Sequence, residues 1–530
     1  MPTKQFFTSY KIALSLLLIF LSDAFLYGQF TNIKVNSRNN SPNEVSITIN
    51  PLNPLNIAAG ANIASYYYST DGGKSWHDST LYSPLLGVWG DPSLCFDAAG
   101  NLFFAHLSNP TQGGYWIDRI VVQKSIDGGK SFDNGAGIGY NPPGRQQDKE
   151  WITADNSGSI FRNNLYMSWT EFDNYGSADP KDSSRIRFSR STDNGLSWSA
   201  PLVISDSSGD CLDSDNTVEG AVPAIGPNGE VYISWSGPGG IRFDKSSDGG
   251  KTFGKDRFVT NQPGGWDFSI SGIYRANGLP VTLCDISNSQ YRGTVYINWS
   301  DQRYGYTDVF LIKSTDGGNS WSEVKKVNSS SGRDRFFTWA TVDQHTGHLW
   351  IVYYDRSETA DSATDVFVSK STDGGETFSS FRISQSSFTP TSKVFFGDYI
   401  NIAAFDGIIH PIWMRLDGKT LSIWTVIIEE STTGLPEEKY KSGLNYKLEQ
   451  NYPNPFNPST NISYSIASEG FVRLNVYNSL GQQVTTLVNG IQKAGSYTVS
   501  FGADYLPSGL YLYKLTSGIF SASNKMLLIK

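Results

Sequence analysis

One phrase recurs six times in this chain: STDGGKSW (69–76), SIDGGKSF (125–132), STDNGLSW (191–198), SSDGGKTF (246–253), STDGGNSW (314–321) and STDGGETF (371–378). A phrase repeated at regular spacing marks one structural unit per copy, and stacked units of this kind share a continuous core. The phrase itself reads as a turn. Its Asp (Asp71, Asp127, Asp193, Asp248, Asp316, Asp373) can accept backbone N–H bonds, and the Gly two residues on supplies a positive φ. The aromatic three residues further, Trp76 or Phe132 for example, fills the gap between adjacent strands. A structural clasp therefore accounts for the phrase without catalysis.

Around each copy lie short strands. NIAAGAN (56–62), NLFFAHL (101–107), NLYMSWT (164–170), EVYISWS (230–236), TVYINWS (294–300) and HLWIVYY (348–354) each precede a boxed phrase, and a seventh, IIHPIWM (408–414), has none after it. Each has a strand before it and another leading into the box, so the unit is four-stranded and serial units make an all-β propeller of about 57 residues per blade. The seventh unit ends at LSIWTVIIEE (421–430) without an outer strand. FTNIKVNSRN (30–39) alternates like the outer strand SEVKKVNSSS (322–331), which predicts that residues 30–38 pair with 421–428 and close the ring.

The six phrases fit S-x-D-x-G-x-[ST]-[WF], so residues 29–430 resemble the Asp-box, or bacterial neuraminidase repeat, propellers related to sialidases. The resemblance implies that the boxes lie on the face opposite the active site. Sialidases have six blades, whereas seven strand phrases predict seven here, with six as the alternative. After Glu430 the linker 431–445 leads to YKLEQNYPNPFNPSTNISYSI, and residues 446–530 resemble the type A C-terminal sorting domain of the type IX secretion system. Its Pro/Asn turns and short alternating strands predict a small antiparallel β-sandwich. Lys4 and Lys11 followed by IALSLLLIFLS (12–22) read as a signal peptide over 1–28. Together these imply a protein secreted from, or displayed on the outer membrane of, a Gram-negative bacterium, with the type IX machinery as one partner.

A net charge of −8 without any Lys/Arg run excludes a nucleic-acid surface. Five histidines without an H-E-x-x-H pair argue against a zinc hydrolase, and neither a G-x-S-x-G elbow nor a phosphate loop is present. Three cysteines (Cys95, Cys211, Cys284) allow at most one disulfide. A monomer is expected.

Function is expected at the top of the ring, where first-strand starts and second-strand exits converge. Acids fall at those starts: Asp91, Asp148, Glu150, Glu219 and Asp398. Arg303, Arg356 and Arg415 follow the second strands. Carboxylates supplying acid and base with arginines gripping a substrate carboxylate suit a glycosidase acting on an acidic sugar, and Tyr399 is placed to be a sialidase-type nucleophile. Asp301 and Asp355 stand beside Arg303 and Arg356, which leaves local ion pairs as the competing reading, and the sialidase motif R-I-P is absent. The expectation is an extracellular glycan or glycoprotein ligand, cleaved or only bound, with a non-catalytic protein- or surface-binding propeller as the alternative. No cofactor is required. The loop DSSGDCLDSDNTVEG (206–220) carries hard oxygen ligands, with Asp210, Asp213 and Asp215 as candidates for a structural calcium ion.

Overall fold

Strands account for the regular structure of this chain, and no helix occurs among the described residues. The computed structural model describes residues 30–84, 87–108, 117–139, 145–328, 332–430, 447–466, 470–479, 481–493, 495–517 and 520–530. The expected signal peptide and linker lie outside them.

Six sheets each take four consecutive strands in antiparallel order. A seventh has five strands: Asn401–Phe405, Ile408–Asp417 and Thr420–Thr425 in order, the N-terminal Ile33–Lys34 beside Thr420–Thr425, and Ile428–Glu429 paired with Ile408–Asp417. Ile33 stands opposite Thr425 and Lys34 opposite Trp424, the pairing expected from the sequence. The first strands are Ser46–Ile49, Gly90–Phe96, Gln146–Ala154, Glu219–Ile225, Val281–Cys284, Arg335–Val342 and Asn401–Phe405. Each lies beside the next, and the last lies beside the first. All seven line a central channel of about 490 Å³.

The seven phrases found in the sequence form the second strands. Their alternation does not mean one wet face: Leu102–Ser108, Val231–Gly237 and Val295–Asp301 are buried at every residue, because neighbouring sheets cover both sides. Buried polar groups must be hydrogen-bonded, and here they stitch sheet to sheet. Ser168 Oγ donates to Ala221 O (2.9 Å), Ser234 and Thr282 share a hydroxyl bond (2.7 Å), and Thr338 Oγ1 donates to Asn298 Oδ1 (2.8 Å). Trp169, Trp235, Trp299 and Trp413, at the same place in four phrases, are fully buried between sheets.

The boxes are clasps in detail. Asp127 accepts Ser125 Oγ (2.8 Å), Lys130 N (2.9 Å), Ser131 N (3.0 Å) and Ser131 Oγ (2.6 Å), while Ser125 Oγ accepts Gly129 N (2.9 Å). The other five Asp residues accept from the same Ser and Ser/Thr positions. Gly129 has φ +91°, and a Cβ there would run into the Tyr66 hydroxyl of the preceding sheet. Gly195 meets Phe103, Gly250 meets Phe188, Gly318 meets Phe243, and Gly73 meets His410 of the seventh sheet in the same way. The box aromatics follow suit, with Phe132 edge-on to Tyr66 (5.0 Å), Phe253 to Phe188 (4.7 Å) and Trp321 to Phe243 (5.1 Å). Each box thus fastens its own sheet to the one before.

The C-terminal residues form a three-stranded sheet (Lys447–Leu448, Ser459–Ile466, Gly495–Gly502) and a four-stranded one (Gln483–Gln492, Gly470–Asn478, Gly509–Ser517, Phe520–Leu528). Ile462, Tyr464, Leu474, Val476, Tyr513 and Met526 belong to one apolar cluster drawn from both. All three cysteines are buried and free, so no disulfide forms.

Candidate functional site

The first strands kink as they enter the ring. Register shifts fall between Gly90 and Ser93, Asp148 and Trp151, Glu219 and Val222, and Phe336 and Trp339. Left-handed residues sit at the same level: Glu44 (φ 52°), Asp91 (51°), Lys149 (52°), Gly220 (79°), Phe337 (49°) and Gly397 (94°). A bulge re-aims the side chains around it, and left-handed non-glycine residues persist only where the surroundings hold them. The kinks gather acids at one end of the channel. An apolar plug of Trp151, Val222, Val281, Tyr399 and Trp339 lies under them, with Trp151 and Trp339 rings 4.2 Å apart.

Asp398 anchors the site. It accepts Lys149 Nζ (2.7 Å) and Arg275 Nε (2.9 Å), and its carbonyl accepts Asn277 Nδ2 (3.0 Å). Burial opposes its charge, but Lys149 and Arg275 outweigh burial and hold the carboxyl well below its ordinary range. Arg275 Nη1 also donates to Asp213 Oδ2 (2.8 Å), which takes the Tyr175 hydroxyl as well (2.5 Å). Burial, strengthened by Asp91 and Asp213 against the pull of Lys149, pushes Asp148 up to about 7. Burial and then Asp91 raise Glu44 and Glu150, and burial and then Asp213 raise Glu219. Neither oxygen of Glu150 or of Glu219 receives a hydrogen bond. Seven carboxyl groups (Glu44, Asp91, Asp148, Glu150, Asp213, Glu219, Asp398) thus share two cations, Lys149 and Arg275.

The structure brings the five expected acids Asp91, Asp148, Glu150, Glu219 and Asp398 together. It does not bring the expected arginines to them. Arg303 forms an ion pair with Asp301 (Nη2–Oδ2 2.5 Å) and lies over Phe310 (4.5 Å). Arg356 is 2% exposed, bonded to Thr364 (3.1 Å) and stacked on Phe336, and burial lowers it to about 10. Asp355 pairs with Arg335 instead (3.1 Å). Arg415 is spent on Asp417 (2.8 Å) and Ser386 O (2.7 Å). The expected nucleophile also fails: Tyr399 packs on Trp151 (5.3 Å), and burial followed by Asp91 and Glu44 raises its hydroxyl, the reverse of activation. The calcium candidates separate too. Asp210 takes Thr217 Oγ1 (2.8 Å), Asp215 takes Asp267 N (2.8 Å), and Asp213 is neutralised by Arg275.

Lys149, Arg275 and Asn277 were not found from sequence. Lys149 stands between two named acids in QQDKEW, which was signal enough. Arg275 and Asn277 come from the long connection between Arg257–Thr260 and Val281–Cys284. That connection forms its own hairpin, Asp267–Phe268 with Ala276–Asn277, and packs Phe268, Ile270, Ile273 and Ala276 against Phe336 and Phe337 of the sixth sheet. It crosses to the mouth and leaves Tyr274 64% exposed, edge-on to Phe395 (6.0 Å).

Residues 450–530 match the family model of the secretion system C-terminal sorting domain, and residues 67–78 match the BNR/Asp-box repeat. No curated protein sequence matches the chain. Solved structures that resemble it include YCF48 bound to D1 peptide (13% identity over 78% of this chain and 99% of that one, TM-score 0.41). A PL25 ulvan lyase (12%, 76% and 96%, 0.44) and the NanB sialidase of Streptococcus pneumoniae (12%, 76% and 70%, 0.38) are others. Likenesses this distant say nothing about chemistry at the mouth. The sorting domain does set the address: the chain is a cargo of type IX secretion, delivered to the surface or the outside of a Gram-negative cell.

Proposed function

We propose that residues 29–430 form a seven-bladed β-propeller, carried outward by a sorting sandwich at 446–530, and that the mouth of its axis binds a neutral extracellular glycan. The observation that carries this reading is the charge balance at the mouth. Lys149 is paired with Asp398 and Arg275 with Asp398 and Asp213, so the cluster offers an anionic sugar no unpaired cation, and the arginines that would grip a sialic acid carboxylate are held by Asp301, Thr364 and Asp417. Exposed groups beside the cluster suit hydroxyl-rich rings: Arg275 (33% exposed), Asp213 (14%) and the Tyr274 ring. Tyrosine offers an apolar face for the sugar and a polar tip for its hydroxyls.

Cleavage is a second reading, favoured by the split between Asp148, held protonated up to about 7, and the ionised Asp398, the pattern of a proton donor beside a charged partner. Burial weighs against it. The cavity beside Lys149 and Asp398 holds only about 30 Å³, room for a water and not for a pyranose. The test is a glycan array with the full chain, Tyr274→Ala and Arg275→Ala, followed by fluorogenic neutral and sialylated glycosides. Neutral glycans bound by the parent and lost in both variants are expected. Preference for sialylated glycans, or binding indifferent to both variants, would overturn the reading.

A further inference from the structure

The second and third strands of the fourth sheet, Val231–Gly237 and Gly240–Ser246, are joined by Pro238 and Gly239 alone. This is the mouth end of the sheet, since Ser236 stands opposite Glu219. Both neighbours carry longer connections there, from Phe172 to Ser184 in the third sheet and from Asp301 to Asp308 in the fifth. A short turn between two longer ones leaves a notch beside the mouth. The chain that runs on from the outer strand, NQPGGW (261–266), crosses this notch, and with Asp215, Asn216, Gly237, Gly239 and Gly240 it lines a cavity of about 240 Å³, against about 30 Å³ beside Lys149 and Asp398.

The walls are fixed by hydrogen bonds. Asp215 Oδ1 accepts Asp267 N (2.8 Å), and a Cβ at Gly265, where φ is +79°, would fall on that carboxylate. Gln262 is spent within the floor, its Oε1 accepting Ser236 Oγ (2.9 Å) and its Nε2 donating to Gly278 O (2.7 Å). Trp266 Nε1 donates to Thr217 O (3.3 Å), and Arg303 Nη2 donates to Asn261 O (3.1 Å), which ties the outer wall to the fifth sheet. The side chains of Asp215, Asn216 and Asn261 stay exposed. One wall is shared with the mouth: Asp267 stands opposite Asn277, whose Nδ2 donates to Asp398 O (3.0 Å), and Tyr274 and Arg275 belong to the turn of that same hairpin.

We propose that this cavity is a second sugar subsite, so that the glycan is a neutral chain held both at Tyr274 and in the notch and not a single terminal sugar, a step that rests on glycan binding at the mouth. The lining selects the class. The Asp215 carboxylate accepts, while the amides of Asn216 and Asn261 both donate and accept, which matches hydroxyls that do both. No Lys, Arg or His lines the cavity among the described residues, so a sulfate, phosphate or carboxylate meets no counter-charge and is opposed by Asp215. Apolar side chains in the lining are confined to Pro263 and Trp266, enough for the C–H face of one ring and too little for a lipid chain.

The test is titration calorimetry on the full chain with cello-, xylo-, manno- and malto-oligosaccharides, from single sugars up to hexamers. In at least one series affinity is expected to rise by about tenfold or more between the single sugar and a chain long enough to enter both subsites. The double variant Asn216→Ala/Asn261→Ala should lose that rise and keep the single-sugar affinity, whereas Tyr274→Ala should weaken every length. Both replaced side chains are exposed, so the double variant should melt within about 2 °C of the parent; should it melt lower, Asn261→Ala alone decides. Affinity independent of chain length, or a rise that the double variant retains, overturns the second subsite and leaves the mouth standing. No binding by the parent in any series overturns both. Binding lost in the double variant but untouched by Tyr274→Ala would sustain the cavity as a sugar site and overturn the mouth.

Discussion

Replacing Lys149 by Met tests whether the mouth is held together by charge. Lys149 is 6% exposed and its Nζ lies 2.7 Å from Asp398, itself 2% exposed. Breaking a buried pair from one side costs about 3–5 kcal/mol, because the remaining charge is stranded. Arg275 still reaches Asp398 through Nε (2.9 Å), so the lower end, about 3 kcal/mol, is expected. Adding Asp398→Asn to Lys149→Met removes the stranded charge and should return part of the loss, with a coupling of about 1–3 kcal/mol in the double-mutant cycle. The pH dependence has a definite sign. Asp398 has a folded pKa below its unfolded value, so its contribution exists above the unfolded pKa and is lost as pH falls through the folded one. In Lys149→Met the carboxyl protonates more readily, and the gap between variant and parent should narrow as pH falls toward about 4. Chemical denaturation followed by tryptophan fluorescence at neutral and acidic pH measures both. A variant within about 0.5 kcal/mol of the parent at pH 7, or a gap that widens on acidification, would refute the reasoning.

Asp127→Ala removes the acceptor of four turn hydrogen bonds and should lower stability by about 0.5–2 kcal/mol, on the scale of a lost helix cap, while glycan binding is unchanged; calorimetry and the array read the two outcomes separately. Asp148 is raised from the ordinary carboxylate range to about 7, so its contribution is complete below its unfolded pKa and is lost as pH rises through about 7. Asp148→Asn should flatten the fall in Tm over that window, and an unchanged slope would show that another group carries it.

What was legible in the sequence was local or repeated. The box turns close within eight residues, so their Asp, Gly and aromatic positions announce their own geometry. The closing strand was legible because FTNIKVNSRN repeats the pattern of an outer strand. The acids were legible because each marks the start of a first strand. The arginines misled because proximity along the chain does not select a partner: Arg303 does pair with Asp301, but Asp355 passes over Arg356 for Arg335, twenty residues back. Arg275 was hidden for the opposite reason. It reaches Asp398 across 123 residues from a connection without any repeat to mark it.

The N-terminal strand has a bearing on how such a chain is made. Asn36 Oδ1 accepts Ile423 N across 387 residues, and Asn32 Nδ2 reaches Ile383 O across 351. Until the last of these partners has been synthesised, the first sheet has no neighbour on one side and His410 cannot yet meet Gly73. The entropy of joining ends so far apart grows only slowly, by about 0.6 kcal/mol per doubling of length, so the delay is one of timing more than of energy. Closure of the seven sheets is thereby tied to arrival of the chain through Thr425, and the C-terminal sorting domain, which comes later in the sequence, emerges only when every strand of the ring is present.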